Sequence, residues 1–453
     1  MTVSPIRTVI RWMGRRALRW CYREVHYVGL ERVPKTGATM LFGNHPNDLP
    51  DVLAGIFTTD RPLRYVATIS AAQMPLAQTT YRGMGVVPVT RVRDARKMRT
   101  LGIDVATVNR SAFDEVRKAF DAGEIVGIFP EGGVHDTSHV GKLRAGVAKM
   151  ALESADTVAS NDLMLTAFGV QYEAQQTPRS DMVVVVGQPF SLKDWLSQEE
   201  GPTARALTER LHQELLEVAR SSRTWPIAAA RDRLTAAVSA IIASASFPLL
   251  ETATAVQRRC GILVEEADDL VPWRTIADDL ADRVAAVGGL PTSARDTARV
   301  LDAAGDSNAQ AQWSSSVWMV GAAIPALFGL LLNGPFQKLV WWNAKRSTDV
   351  RTDTMARAIL PGLHLILLGW VVLGGLFALG FRAASVSSWW AVPAVMMLPR
   401  LGDLGLVWRD AVRALRLRSR VQRLPEAERA AIRAAADRVR SAWLALPSSH
   451  PSS

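Results

Sequence analysis

The chain has 453 residues, 48% of them apolar, and a formal net charge of +10 at pH 7. That length supplies two or three domains, and the charge narrows large partners to nucleic acid or an anionic membrane surface. Two cysteines, Cys21 and Cys260, lack metal-ligand spacing, which argues against a disulfide-rich or zinc-stapled fold and for a reducing compartment.

Residues 6–24 read as a basic amphipathic helix. Ile6, Val9, Ile10, Met13, Ala17 and Trp20 share one face, and Arg7, Arg11, Arg15, Arg19 and Arg23 the other. Residues 1–24 are therefore expected to lie on a membrane surface with arginines against anionic lipid; the rival reading is a helix packed on its own domain. The N-terminus lacks the pattern of a cleaved secretory signal, which places the following domain on the cytosolic side.

Strands are expected at residues 25–34, 37–42, 63–69, 125–129, 163–170 and 182–186, with a further β-rich run at 81–90. Helices are expected after Asp51, at 113–122 with Gly123 as a stop, and at 143–152. Short apolar strands alternating with helices predict an α/β layered domain over residues 25–200. Residues 201–312 change to an alanine-, arginine- and acid-rich helical pattern without any chemical motif and read as a connecting region. Residues 238–250 are apolar but too short and interrupted to span a bilayer.

Residues 314–337 and 358–381 carry no charge, and each is long enough for a hydrocarbon core of about 30 Å. Residues 383–399, with Trp389, Trp390 and Pro393, form a weaker third candidate within a membrane region of residues 313–400. The loop 338–357 is basic and prefers the cytosolic side, a conflict that a re-entrant pair broken at Asn333, Gly334 and Pro335 would relieve. In residues 401–453, Arg409, Arg413, Arg416, Arg420 and Arg423 share a helical face, a second membrane-surface candidate or a solvated one.

The chemistry-bearing stretch is LFGNHPNDLPDV, residues 41–52. An apolar strand there ends by presenting Asn44 and His45 at its carboxyl edge, with Asp48 and Asp51 in reach of the imidazole. Three later stretches follow in order: GMGVVPVTR at 83–91, IVGIFPEGGVHD at 125–136, and Tyr172, Arg179 and Ser180 ahead of VVVVGQPF at 183–190. Together with NHPNDLPD these resemble the glycerolipid acyltransferases that esterify glycerol phosphate and lysophosphatidate. Within them they look most like the branch with fungal glycerol-3-phosphate and dihydroxyacetone-phosphate acyltransferases.

The resemblance implies a layered α/β domain with a mixed sheet and flanking helices, followed by a helical region and C-terminal membrane helices. It implies His45 as general base with Asp51 as its carboxylate, although five residues intervene here where four are commonest. It implies a phosphate-binding Arg91, and an acceptor site lined by Asn44, Glu131, Gly132 and Gly133. Arg144 and Lys149, in the helix that follows, are further candidates or surface residues, because Gly133, Val134 and His135 replace the family's usual Thr or Ser and Arg. His135, Asp136 and His139 suggest no metal, since no third ligand has a recognisable spacing. Tyr172, Arg179 and Ser180 read as structural.

The expectation is a membrane-bound O-acyltransferase without cofactor, using acyl-CoA or acyl-carrier protein as co-substrate and glycerol-3-phosphate or dihydroxyacetone phosphate as acceptor. Lysophosphatidate is the alternative acceptor, and a lipid-binding or scaffold protein of the same fold the non-enzyme alternative. No nucleic-acid partner is expected, and the oligomeric state is left open.

Overall fold

The computed structural model describes residues 5–68, 85–90, 98, 100, 102, 104–155, 162–175, 177–243, 256, 260, 271–305, 310–347 and 354–445. The chain divides into two compact units, Met1–Ser221 with Val350–Ala356, and Ser222–Asp349 with Arg357–Ser453.

The first unit is built on a mixed sheet. Its strands are β1 (Val25–Val28), β2 (Thr39–Gly43), β3 (Leu63–Thr68), β4 (Val87–Val89), β5 (Ile125–Ile128), β6 (Met164–Tyr172), β7 (Met182–Val186) and β8 (Phe190–Ser191), in the order β1-β7-β6-β2-β5-β3-β4 with β8 on β6. β2 runs parallel to both β5 and β6, whereas β6 pairs antiparallel with β7 and β8. Every residue of β2 and β5 is buried, as expected for central parallel strands covered on both faces.

Alternation along the strands supplies the two faces. Met40, Phe42, Val126, Ile128, Leu165 and Ala167 join one core with residues from α3 (Val105–Asp121), α4 (Gly146–Ala155) and α6 (Ala204–Val218). α3 begins earlier than its apolar pattern, because the Asp104 side chain caps it by accepting from the amides of Ala106 and Thr107. α4 starts three residues later than expected, at Gly146, so Arg144 precedes the helix. α6 follows the short α5 (Leu192–Gln198) and belongs to this core rather than to a connecting region, because Leu207, Leu211 and Leu215 form a stripe that covers the sheet.

Against the other face lie α1 (Pro5–Cys21) and α2 (Leu49–Ile56). Gly14 of α1 sits where an added Cβ would be 3.0 Å from Leu53, so the two helices approach closely. Arg11 donates to the carbonyls of Ile56 and Thr59, both at 3.0 Å, at the C-terminal end of α2, and Arg11 and Arg15 lie over the Phe57 ring. Arg11, expected on the lipid-facing arginine face, thus turns to the protein, whereas Arg15 and Arg19 stay exposed. Carbonyls at a helix end attract cations, and those of α2 take Arg11. Val9 and Trp12 remain exposed.

The second unit is helical. α7 (Trp225–Ala243), α8 (Val271–Ala286), α9 (Ala294–Ala304), the end of α12 (Ala391–Gln422) and α13 (Glu426–Leu444) share a core that includes Leu234, Leu280, Val284, Val300, Leu417, Ile432 and Val439. Asp296 lies buried among these helices and accepts from the amide of Leu290 at 3.1 Å and from Arg413 at 3.0 Å. Arg420 donates to the carbonyl of Val287 at 3.2 Å. Two arginines of the expected C-terminal surface face therefore hold the bundle together.

α10 (Gln310–Ser347) packs on α12. An added Cβ at Gly329 would lie 2.0 Å from the Leu401 carbonyl, and one at Gly405 would lie 3.0 Å from that of Ala326, so the helices run antiparallel at backbone contact. The expected break at Asn333, Gly334 and Pro335 does not occur: α10 continues through them. Buried Asn333 donates to the carbonyls of Gly329 and Leu398 at 3.0 and 3.4 Å and accepts from Trp370 of α11 (Thr354–Ala383) at 3.1 Å. Neighbouring helices thereby hold the proline-containing stretch in helical form. Met319–Arg346 and Ser388–Gln422 are long and apolar enough to cross a membrane, and Leu368–Ala383 is a shorter apolar helix. The weaker third candidate is thus the start of a long helix.

Candidate active site

The site forms at the carboxyl ends of β2, β5 and β6, where an open α/β sheet has its crevice. The β2–β5 register pairs Phe42 with Ile128, and continuing both strands by three residues brings His45 opposite Glu131. Accordingly the His45 amide donates to Glu131 Oε1 at 2.8 Å. On the other side the Asn44 amide group bridges to β6, donating to the Val170 carbonyl at 3.0 Å and accepting from its N–H at 2.7 Å. Asn44 finishes the β2–β6 ladder with its side chain, which leaves His45 as the first residue free to project.

The turn after His45 reverses at Asp48, whose φ of 54° is unusual for a residue with a Cβ. This reversal starts α2 and sets Asp51 in its first turn, fully buried. Asp51 Oδ2 lies 3.0 Å from His45 Nδ1 and accepts from the Asn47 amide at 2.7 Å; Oδ1 accepts from the Tyr172 hydroxyl. Of the two aspartates in reach by sequence, the fold pairs Asp51 with the imidazole. The His45 ring also stacks on Phe129 with centroids 4.0 Å apart and planes at 11°, and Tyr65 stacks behind Phe129 at 5.6 Å. Gly127 makes room for this layer, since an added Cβ would come 2.7 Å from the Tyr65 ring. The imidazole is fixed in plane by Phe129 and in rotation by Asp51. Nδ1 carries the proton toward the carboxylate, and Nε2 is left as the basic nitrogen.

Glu131, expected among acceptor-lining residues, is instead a clamp. It is buried, and besides the His45 amide it accepts from the Gly141 amide at 2.8 Å and pairs through Oε2 with His135 Nε2. Thr137 meets His135 Nδ1 at 2.6 Å. Asn44 and Glu131 thus turn to the protein itself, because the strand ends they sit on need their polar groups answered. Gly132 remains at the surface of the crevice with φ 75°, a conformation glycine adopts without strain, followed by Gly133. Arg144 is exposed beside Gly132, its Cγ 3.1 Å from an added Cβ there, and no hydrogen bond or ion pair holds its guanidinium among the described residues. Arg91 and Gly83 lie outside the described residues.

Arg179, read as structural, is so here. Its guanidinium donates to the carbonyls of Arg19 and Tyr22, and its amide to that of Cys21 at 2.7 Å, which closes the C-terminal end of α1. That seats Tyr22 beside Tyr172, ring centroids 5.5 Å apart, where its hydroxyl accepts from the Asn47 amide group at 2.9 Å. Burial, with the Asp51 charge adding to it, raises the Tyr172 and Tyr65 hydroxyls well above their ordinary range; burial, then Cys21 and Asp51, does the same for Tyr22. Burial also pushes the Cys21 thiol up to about 12. Each group has a folded pKa above its unfolded one, so its contribution is complete below the unfolded value, near 9 for the thiol and about 10 for tyrosine, and is lost as pH rises further. Each tyrosine should then cost about 1.4 kcal/mol per pH unit. Stability measured by denaturant titration should be flat to about pH 9 and fall steeply above pH 10, with the tyrosinates of Tyr22, Tyr65 and Tyr172 appearing only on unfolding.

Comparison with known proteins follows the same outline. The acyltransferase family model matches residues 24–163. An uncharacterized acyltransferase of Schizosaccharomyces pombe is 38% identical over 80 residues, 18% of this chain and 12% of that protein. Glycerol-3-phosphate O-acyltransferase 1 of Saccharomyces cerevisiae is 36% identical over 78 residues, 17% of this chain and 10% of that protein. The aligned stretch thus spans about a tenth of the length of these curated relatives. The crystal structure of the 1-acyl-sn-glycerophosphate acyltransferase of Thermotoga maritima aligns at 16% identity and TM-score 0.33, covering 46% of this chain and 78% of that one. The segment that matches the acyltransferase family model, residues 24–163, encloses His45, Asp51 and Glu131.

Proposed function

We propose that this protein is a membrane-bound O-acyltransferase that moves a fatty acyl group from a thioester, acyl-CoA or acyl-carrier protein, to a glycerol-phosphate acceptor. The observation that carries the reading is the His45–Asp51 pair, with Nδ1 tied to a buried carboxylate and Nε2 left for a substrate hydroxyl. In the reaction the acceptor hydroxyl loses its proton to His45 Nε2 as its oxygen attacks the thioester carbonyl. The C–O bond forms, the C–S bond breaks, and the proton passes from the imidazolium to the departing thiolate. Asp51 stabilises the imidazolium in between. Arg144, exposed beside Gly132, suits the acceptor phosphate, its guanidinium giving paired contacts, and Gly133 and Arg91 are proposed to act with it. The apolar helices of the second unit support a membrane location, and the acyltransferase domain is proposed to work on the cytosolic face against anionic lipid.

Glycerol-3-phosphate, dihydroxyacetone phosphate and lysophosphatidate share a free hydroxyl and a phosphate, so each suits this chemistry. Purified protein in detergent, offered labelled acyl-CoA and this panel beside unphosphorylated glycerol, should acylate phosphorylated acceptors alone. Arg144→Ala should raise the acceptor KM by roughly 10- to 100-fold with little change in turnover, the size of one lost charged hydrogen bond. Lipid binding without acyl transfer would favour a scaffold instead, and acyl release without any acceptor a hydrolase.

A further inference from the structure

The hydrogen bond from Tyr172 to Asp51 has no part in the transfer steps above, yet it reaches the centre of the site from a strand residue far away in sequence. Asp51 has two oxygens and three donors. Oδ2 takes His45 Nδ1 and the Asn47 amide, and Oδ1 takes the Tyr172 hydroxyl. The terminal torsion of an aspartate has a broad minimum, and among the described residues Tyr172 is the donor that holds Oδ1. The residue is placed for this by β6, which ends at Tyr172 in register with Met182 of β7. Its ring is braced by Tyr22. Titratable groups face the pair from every side: Tyr22 after α1, Tyr65 from β3, Glu131 after β5 and Tyr172 from β6. None of these is a cation, so the donors on Asp51 are what distribute its charge.

We infer that Tyr172 is a positioning residue for the base, orienting the Asp51 carboxylate toward His45 and drawing off part of its charge. Burial supports the role by keeping the phenol protonated, hence a donor, throughout the working range. The electrostatic part has a definite sign. A donor on a carboxylate weakens its pull on a neighbouring cation. Removing the phenol hydroxyl leaves more negative charge facing the imidazolium, which then forms at higher pH, while the carboxylate, still held at Oδ2 by the Asn47 amide, keeps Nδ1 within reach but aims the ring less firmly.

The inference rests on the acyltransferase reading for its kinetic consequence alone, and the test separates the two. Tyr172→Phe keeps the ring and its packing on Tyr22. In the full-length protein in detergent it should lower kcat by about 10-fold, leave the acceptor KM within twofold, and move the acid limb of the pH profile upward by about half a unit. Beside it, diethylpyrocarbonate modification of His45, located by peptide mass spectrometry, should be followed against pH in both proteins, since only the neutral imidazole reacts. That midpoint should move upward in Tyr172→Phe whether or not the protein turns over a given acceptor. An unchanged modification midpoint would overturn the inference. If the midpoint moves and neither protein transfers an acyl group, the inference stands and the proposed function falls.

Discussion

Asp51→Asn is expected to leave the protein folded and to lower turnover by about 10³- to 10⁴-fold, roughly 4–5 kcal/mol of transition-state stabilisation. The asparagine oxygen can still face the Asn47 amide and its nitrogen the Tyr172 hydroxyl, which becomes an acceptor, so the buried network survives. What is lost is the negative charge beside His45 and, when the amide turns over, the tautomer that leaves Nε2 basic. Asp48→Asn is the matched control. Asparagine tolerates the φ of 54° at that position, so activity should stay within about threefold by the same reasoning on turn residues. Turnover at saturating substrates and melting temperature, measured on the same preparations, check both. A collapse in Asp48→Asn with near-normal Asp51→Asn would assign the pair to the other aspartate.

Gly169→Val is expected to be the most damaging change to the sheet domain outside the site. Gly169 lies in β6 directly under the end of α6, where an added Cβ would meet the Val218 carbonyl at 2.0 Å and the Ala219 amide nitrogen at 2.7 Å. Those are backbone atoms, so no rotamer change relieves the clash, and α6 must lift from the core that Leu207, Leu211 and Leu215 complete. Overpacking of this kind costs about 3 kcal/mol or more, which corresponds to a fall of roughly 6–12 °C in Tm for a domain of this size. Gly146→Ala, in open space at the start of α4, should leave Tm unchanged or slightly raised by its better helix propensity. Thermal unfolding of both variants by tryptophan fluorescence makes the comparison.

What the sequence made legible was whatever depends on local pattern. An apolar run ending in Asn44 and His45 is a buried strand that stops at a polar edge, and Pro50 just ahead of Asp51 marks the helix that carries the carboxylate. Pattern could not say which strands lie beside β2, and three roles hang on that neighbourhood. Glu131 reaches the His45 amide only because β5 is its parallel neighbour, Asn44 is drawn to Val170 only because β6 is the other, and Tyr172 meets Asp51 across 121 residues. The place of Arg11 was hidden for a related reason. Amphipathic spacing sorts residues by face, but Gly14 lets α2 come close enough for Arg11 to find carbonyls there. Likewise Asn333, Gly334 and Pro335 spell a break in isolation, and it is Trp370 and the Leu398 carbonyl, from other helices, that surround Asn333 inside a continuous one.

The most direct test is a single-turnover transfer assay with labelled acyl-CoA, comparing the full-length protein and His45→Ala in the same detergent, with products identified by mass spectrometry. The native protein should convert glycerol-3-phosphate or a related phosphorylated acceptor to its acyl ester, one thiol released per ester formed, and His45→Ala should form none above background while still binding acyl-CoA. Ester formation that persists at a comparable rate in His45→Ala would contradict the assignment of His45 as the base.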